Sequence, residues 1–510
     1  MHSGVRSGIN TETTDNEIGA GYAYRRDVEA LPENFLERSR ELGEKILKNQ
    51  EWRNWAILLG IMFLGLLTLL LISTIRCRDD SPGAPLMLIP EKITIGGETF
   101  EGRRFLGLES TRKTQNPTLV AELQAILKSN EAPNDLSAES VVDSFNMEKI
   151  LENCFTRMSD KDYGDLQLLA QESSIGAWSI PPATLRQTAP ILQRLEADRH
   201  TIRTALENKA TEFTFDVVQF EGSGDAPPSS DWLLNYVRME EFSLAQSLER
   251  GATAEATSSL RFIFRAAQKT SKAKSVALRY TAAKIRQKGV NILQSLVLRP
   301  EFTSVFRREI EQELLAALAD WPADRTAWIG ERANGMLVFE TIRKMGLENV
   351  LSEAELEELD HRKIYDKVNN NLLTSLDPDE AFYLKTMAAL IASCDEPFYR
   401  RGAFCDELEQ TLREKFGADD EPYISMFLLR GVRGMMQSQA ADRALVETCC
   451  LALATAEGRK LPRITVDPVF GNPYVVQEAG NAVSVGFSPE ARPFIVLKSV
   501  ETTDSPPTVP

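Results

Sequence analysis

The side chains best suited to chemistry are few in this chain, and their spacing argues against the familiar catalytic arrangements. Only three histidines occur, His2, His200 and His361. None pairs with another at helical spacing and no H-E-x-x-H is present, so a zinc hydrolase would lack its ligands. Ser271-Lys272-Ala273-Lys274 matches S-x-x-K, but the S-x-N and K-T-G elements that serine acyl-enzymes also need are missing. Asp160-Lys161-Asp162-Tyr163-Gly164-Asp165 has the look of a calcium loop. Its glycine falls one place early, and Gln171 stands where a bidentate glutamate belongs. Ser159 capping a helix at Asp162 explains that stretch better. Phosphate-binding and dinucleotide-binding glycine motifs are absent, as is G-x-S-x-G. The sequence therefore nominates no catalytic, cofactor-binding or metal-binding residues and implies no cofactor.

Two clusters remain. Lys269, Lys272, Lys274, Arg279, Lys284, Arg286 and Lys288 form a basic run in an otherwise acidic chain. Such a run reads first as a solvated face paired with acidic neighbours, and second as a dock for an acidic partner or anionic headgroups. The six cysteines, Cys77, Cys154, Cys394, Cys405, Cys449 and Cys450, show no C-x-x-C spacing. Cys394 and Cys405 flank a short connection and are the pair to suspect in an oxidising compartment.

The elements that would hold any site are mostly helical. Lys and Arg number 58 against 74 Asp and Glu, a net charge of -16 over 510 residues, which disfavours nucleic acid as a partner. Residues 1–30 read as a disordered arm and 31–54 as an amphipathic juxtamembrane helix. Ala56–Ile75 is uncharged and long enough to span a bilayer, so 55–76 is expected to be a transmembrane helix. Trp52 and Trp55 stand at its margin, and Ala56 and Gly60 offer a small-residue contact for a possible homo-oligomer. The preceding lysines and arginines favour a cytoplasmic N-terminus. That makes a single-pass signal-anchor protein of the cytoplasmic membrane, with a large periplasmic C-terminal domain and the lipid bilayer as partner through Ala56–Ile75.

Residues 77–115 read as a linker and a hairpin, with Gly96-Gly97 between two alternating runs. An α-helical domain is expected over 116–458. Asn116-Pro117, Ser352-x-x-Glu355 and Asp377-Pro378 supply helix-start signals, the last being the strongest. Helices are expected near 183–208, 231–250, 253–267, 271–298, 301–319, 323–345, 402–416, 421–438 and 440–457, and a short strand over 213–218. No fixed repeat period persists. Residues 459–500 read as a small β-hairpin module, with strands at 474–477, 482–485 and 494–500, and 501–510 as a disordered tail. In Asp467-Pro468-Val469-Phe470-Gly471-Asn472-Pro473-Tyr474, Asp467 can accept backbone N–H bonds and Gly471 can take positive φ. The preceding helix and the following hairpin would then cover each other's apolar faces. The fold class is mainly α: one transmembrane helix, an irregular bundle- or solenoid-like helical array, and the C-terminal hairpin module.

The same C-terminal residues carry a resemblance. Ala452-Leu453-Ala454, Gly458, Pro462, Asp467-Pro468, Gly471, Pro473 and Tyr474 resemble the end of large uncharacterised membrane-anchored helical proteins of planctomycete bacteria. Gly330-Glu331-Arg332 after Trp321-Pro322 is similar to an element of those proteins. The turn is also similar to the C-terminal part of type II secretion pseudopilins. This chain departs from them in its long arm before the apolar segment, and in Gly486–Glu490, which lacks the acid ladder of their calcium loop. The resemblance implies a membrane-anchored helical architecture and no known activity. The expected function is a cell-envelope scaffold or protein-interaction module for an unidentified protein partner. The alternatives are a pseudopilin-like secretion component, or a hydrolase with a carboxylate-based site in a helical cleft.

Overall fold

Asn116 shows how local sequence starts the helical array: its side-chain oxygen accepts from the N–H groups of Thr118 and Leu119 at 3.0 and 3.1 Å, satisfying two orphan donors of the first turn. The computed structural model describes residues 92–95, 98–101, 116–128, 146–171, 179–213, 228–299, 301–361, 372–416, 423–461, 463–487 and 493–498. The chain divides into Met1–Ala84 and Pro85–Pro510, and every described residue belongs to the second unit.

Strands β1 (Lys92–Ile95) and β2 (Glu98–Glu101) pair antiparallel with Ile95 opposite Glu98, which leaves two residues for the turn, as the Gly-Gly pair requires. Helices follow as α1 (Pro117–Lys128), α2 (Met147–Phe155), α3 (Asp160–Gln171), α4 (Pro182–Arg194), α5 (Glu196–Glu207), α6 (Pro228–Glu249), α7 (Thr253–Ser271) and α8 (Val276–Leu296). Then come α9 (Ser304–Ala319), α10 (Asp324–Met345), α11 (Glu353–His361), α12 (Leu372–Ser393), α13 (Phe398–Phe416), α14 (Ile424–Leu428) and α15 (Val432–Ala456). Strands β3 (Val475–Ala479), β4 (Ala482–Gly486) and β5 (Phe494–Leu497) close the described chain as one antiparallel sheet in the order β3-β4-β5.

The apolar residues segregate into two cores. One gathers α2 to α9, the C-terminal half of α15, and β4 and β5; the other gathers α1, α10 to α14 and the N-terminal half of α15. Val483, Val485, Phe494 and Val496 are buried with Val446, Cys449 and Leu453, so helix and sheet do cover each other's apolar faces. Helix α15 has 25 residues, roughly 37 Å of continuous rod, and belongs to both cores.

The mainly helical class and the C-terminal sheet stand, but several expectations need correcting. No helix among the described residues is long and apolar enough to cross a membrane. Ala56–Ile75 lies outside the described residues, so the expected transmembrane helix over 55–76 is not supported. The single-pass placement in the cytoplasmic membrane is withdrawn with it. Most of the expected strand over 213–218 also lies outside the described residues.

The 183–208 stretch is two helices, interrupted at Leu195. Glu196 and Asp198 supply the acids that favour a fresh N-terminus there. By contrast, 440–457 is not a separate helix, because α15 runs unbroken from Val432 to Ala456. Asp377-Pro378 does not start a helix either: Pro378 lies inside α12. Its acids are engaged elsewhere. Asp377 accepts from Arg343 at 3.0 Å and Glu380 pairs with the same guanidinium at 2.7 Å. Asp379 is fully buried and accepts from the N–H groups of Tyr423, Ile424 and Ser425, capping α14 across space.

Candidate functional site

The basic run is where the sequence pointed most directly to binding, and the structure places it between helices. The Lys269 ammonium donates to the carbonyls of Asn208 and Thr211 at 2.9 and 2.6 Å. Lys272 pairs with Asp320 and Lys288 with Glu241. Lys284 lies over the Tyr280 ring at 4.5 Å. Arg279 donates to the Ala323 carbonyl at 2.8 Å, and burial pushes its guanidinium down to about 10. Arg286 is only 1% exposed, ion-paired to Asp442 and stacked on Trp321 at 4.5 Å. Partnered acids are present, as a paired face requires, but two of the seven cations are core residues.

The other flagged residues are structural. Ser159 Oγ accepts from the Asp162 N–H at 3.1 Å, and the Asp162 carboxylate binds Arg194, so the calcium-like stretch is a helix start. Ser271 donates to the Gln268 carbonyl at 2.8 Å. His200 is exposed. Cys394 and Cys405 are separate free thiols, the first donating to the Leu390 carbonyl and the second 3.6 Å from the Met436 sulfur. Among the described residues, no three His, Cys, Asp or Glu side chains gather as a metal site.

Two cavities bear on the hydrolase alternative. A groove of about 420 Å³ opens where α5, α7 and α9 end. Its carboxylates are committed: Glu313 to Arg265 at 2.9 Å and Arg261 at 3.2 Å, Glu207 to Arg265 at 2.6 Å, and Asp320 to Lys272. Glycoside-type hydrolysis needs one carboxyl to protonate a leaving group and another to attack or activate water. These carboxylates answer neighbouring cations instead. A second cavity, of about 30 Å³, lies at the seam of the two cores against Asp442, Gln439 and Trp321. It has room for a water or two and no more. Burial raises the Asp442 carboxyl to about 6, against the opposing pull of Arg286.

The C-terminal module presents a different surface. Asp467 is fully buried and accepts from the N–H groups of Val469, Phe470 and Asn472 at 2.9, 2.6 and 3.0 Å. Gly471 sits at φ +73°, where a Cβ would also lie 2.7 Å from the Tyr399 ring. Tyr474 donates to Glu447 on α15 at 2.6 Å. Gln294 on α8 exchanges two hydrogen bonds with the Ile495 backbone, at 2.6 and 2.7 Å, so β5 is tied to the helices along its outer edge.

Among the described residues, strand β3 has no such cover, and all five of its residues are exposed. Among the described residues, nine large apolar side chains are conspicuously exposed. Val466, Phe470, Val475, Val476 and Ile495 belong to this module, and Tyr399 packs against its Gly471. Val475 is 51% exposed and Phe470 48%. Contiguous apolar surface is what distinguishes binding faces in general, whereas single scattered residues are ordinary. The sequence pattern located the hairpin. It carried no signal for which strand would be left at the open edge, because that depends on where α8 and α15 pack.

No family model, curated protein or solved structure matches the chain.

Proposed function

We propose that the chain is a protein-interaction scaffold: an irregular helical array that carries a C-terminal sheet for contact with partner proteins. One observation supports this reading above the rest, the gathering of exposed apolar side chains around an uncovered strand. The groove and the seam favour it indirectly, since the carboxylates Glu207, Glu313, Asp320 and Asp442 are paired with cations of neighbouring elements.

A photo-crosslinking amino acid placed at Phe470 tests it. In cells, the expected result is discrete adducts at position 470 and none at Glu255, an exposed position in the first turn of α7. Equal adduct patterns at both positions, or none at 470, would overturn the reading.

A further inference from the structure

We infer that the open edge of β3 accepts an extended acidic segment of a partner protein as an added strand. This rests on the reading of the C-terminal module as an interaction surface and names the class of partner.

The geometry begins at the turn. Gly480 and Asn481 form a two-residue connection, so Ala479 and Ala482 close it as a hydrogen-bonded pair. Pairs alternate from there. Gln477 with Ser484 and Val475 with Gly486 are the bonded pairs towards β4. Val476 and Glu478 therefore turn their N–H and C=O groups the other way, and no backbone bond to either is present on that side among the described residues.

Among the described residues, one run begins to cover this flank and then leaves it. Val466 bridges antiparallel to Pro473, and Asp467 N–H donates to the Asn472 carbonyl at 2.9 Å. By the two-residue alternation of a strand, Asn472, Val476 and Glu478 present their backbone groups to the same flank. The covering run leaves at Ile464, whose N–H donates to the Leu461 carbonyl at 3.2 Å. A new strand beside Val476–Ala479 would continue a pairing already started. Uncovered edges are normally blunted by proline, a bulge or an unpaired charge. Here Glu478 is neutralised by Lys498 at 2.6 Å, and β3 contains no proline.

Charge chooses the partner. Over the described part of 459–498, Arg459, Lys460, Arg463 and Lys498 face only Asp467 and Glu478, and Asp467 is buried. This is a cationic module on a chain of net charge -16. Arg459 is spent on Glu311 and Lys498 on Glu478. Lys460 and Arg463 are exposed and make no ion pair among the described residues, and Arg463 stands where the covering run leaves the edge. Val475 and Val476, on opposite faces of β3, offer apolar contact to the side chains of an incoming strand. Main-chain bonds supply affinity and the flanking side chains supply selection, the usual division in strand addition.

The test uses the full chain and a rhodamine-labelled eight-residue peptide of alternating glutamate and valine, followed by fluorescence anisotropy. Binding is expected, with the lysine-for-glutamate peptide and a peptide N-methylated along its docking edge each weaker by about tenfold or more. Hydrogen exchange at the Val476 and Glu478 amides should slow on binding. Val476→Pro removes a donor that faces away from β4, so the sheet keeps its ladder while the edge is blocked. It and Arg463→Glu should each weaken binding by about tenfold. If Val476→Pro does not fold, Arg463→Glu and the N-methylated peptide decide the matter.

Equal binding of the lysine peptide, or no loss in either variant, overturns the proposal. So does a dimer in sedimentation that Val476→Pro dissolves while the acidic peptide fails to bind, which would assign the edge to a second copy. Adducts at position 470 with an unresponsive Val476→Pro would leave the interaction surface standing and remove strand addition alone.

Discussion

Buried carboxylates do three different jobs in this chain. Asp467 and Asp379 gather backbone N–H groups and hold a turn and a helix start. Glu240 on α6 is fully buried and answers Arg199 and Arg203, both on α5. Asp442 stands apart, because its companion Arg286 is itself buried and burial has raised its carboxyl to about 6. The consequence for stability has a definite sign. The unfolded carboxyl titrates near the ordinary aspartate value of about 3.9. The folded state therefore holds this proton more tightly, and its contribution is fully present below about pH 4 and lost as pH rises through about 6. Asp442→Asn keeps the shape and removes the titration. The stability of the native chain relative to this variant should fall by on the order of 2 kcal/mol between pH 4 and pH 7. Urea unfolding of both proteins across that range measures it. A difference that stays flat with pH would show that Asp442 ionises normally.

At the scale of elements, what was legible in the sequence was what is local. Asn116, the pair Ser352 and Glu355, and the Asp467–Gly471 turn each close within a few residues, so their spacing alone identifies them. Asp377-Pro378 misled because its acids answer α10 and α14, which no local pattern reveals. The basic run misled in the same way, since Arg286 meets an aspartate far along the chain. No signal at all marked the open edge of β3, whose exposure is decided by how the neighbouring helices pack.

Glycines inside helices show the limit most sharply. In isolation, replacing one with alanine stabilises a helix by about 0.5–1 kcal/mol. Gly402 in α13 has open space where a Cβ would go, so Gly402→Ala should gain about that much. Gly330 in α10 lies against the Lys274 carbonyl, and a Cβ there would come within 1.7 Å of that oxygen. Because a backbone atom cannot swing aside, Gly330→Ala should lose about 2–4 kcal/mol, as the α7–α8 connection and α10 are forced apart. Thermal unfolding of the two variants would show opposite shifts. Stabilisation by both would mean that α10 does not approach that connection so closely.

At the scale of the whole molecule, the question is whether two cores make two folding units. Helix α15 argues that they do not. Met436, Ala440 and Ala444 serve one core and Val446, Cys449 and Leu453 the other, on a single hydrogen-bonded ladder. Helix α8 repeats the arrangement, with Val276 in one core and Leu278 onward in the other. Arg286 and Asp442 join these two helices where the cores meet, so separating the cores would strip a buried charge of its partner. That step costs about 3–5 kcal/mol, comparable with losing a large core side chain. Opening one core alone therefore saves little. Leu453→Ala, at a fully buried position in the first core, should destabilise the protein by about 2–5 kcal/mol. Under native-state hydrogen exchange, slow amides of α12, which packs only in the second core, should speed up by the same free energy as those of α7. Faster exchange confined to α7 and its neighbours would instead make the two cores independent units, with α15 as a passive strut between them.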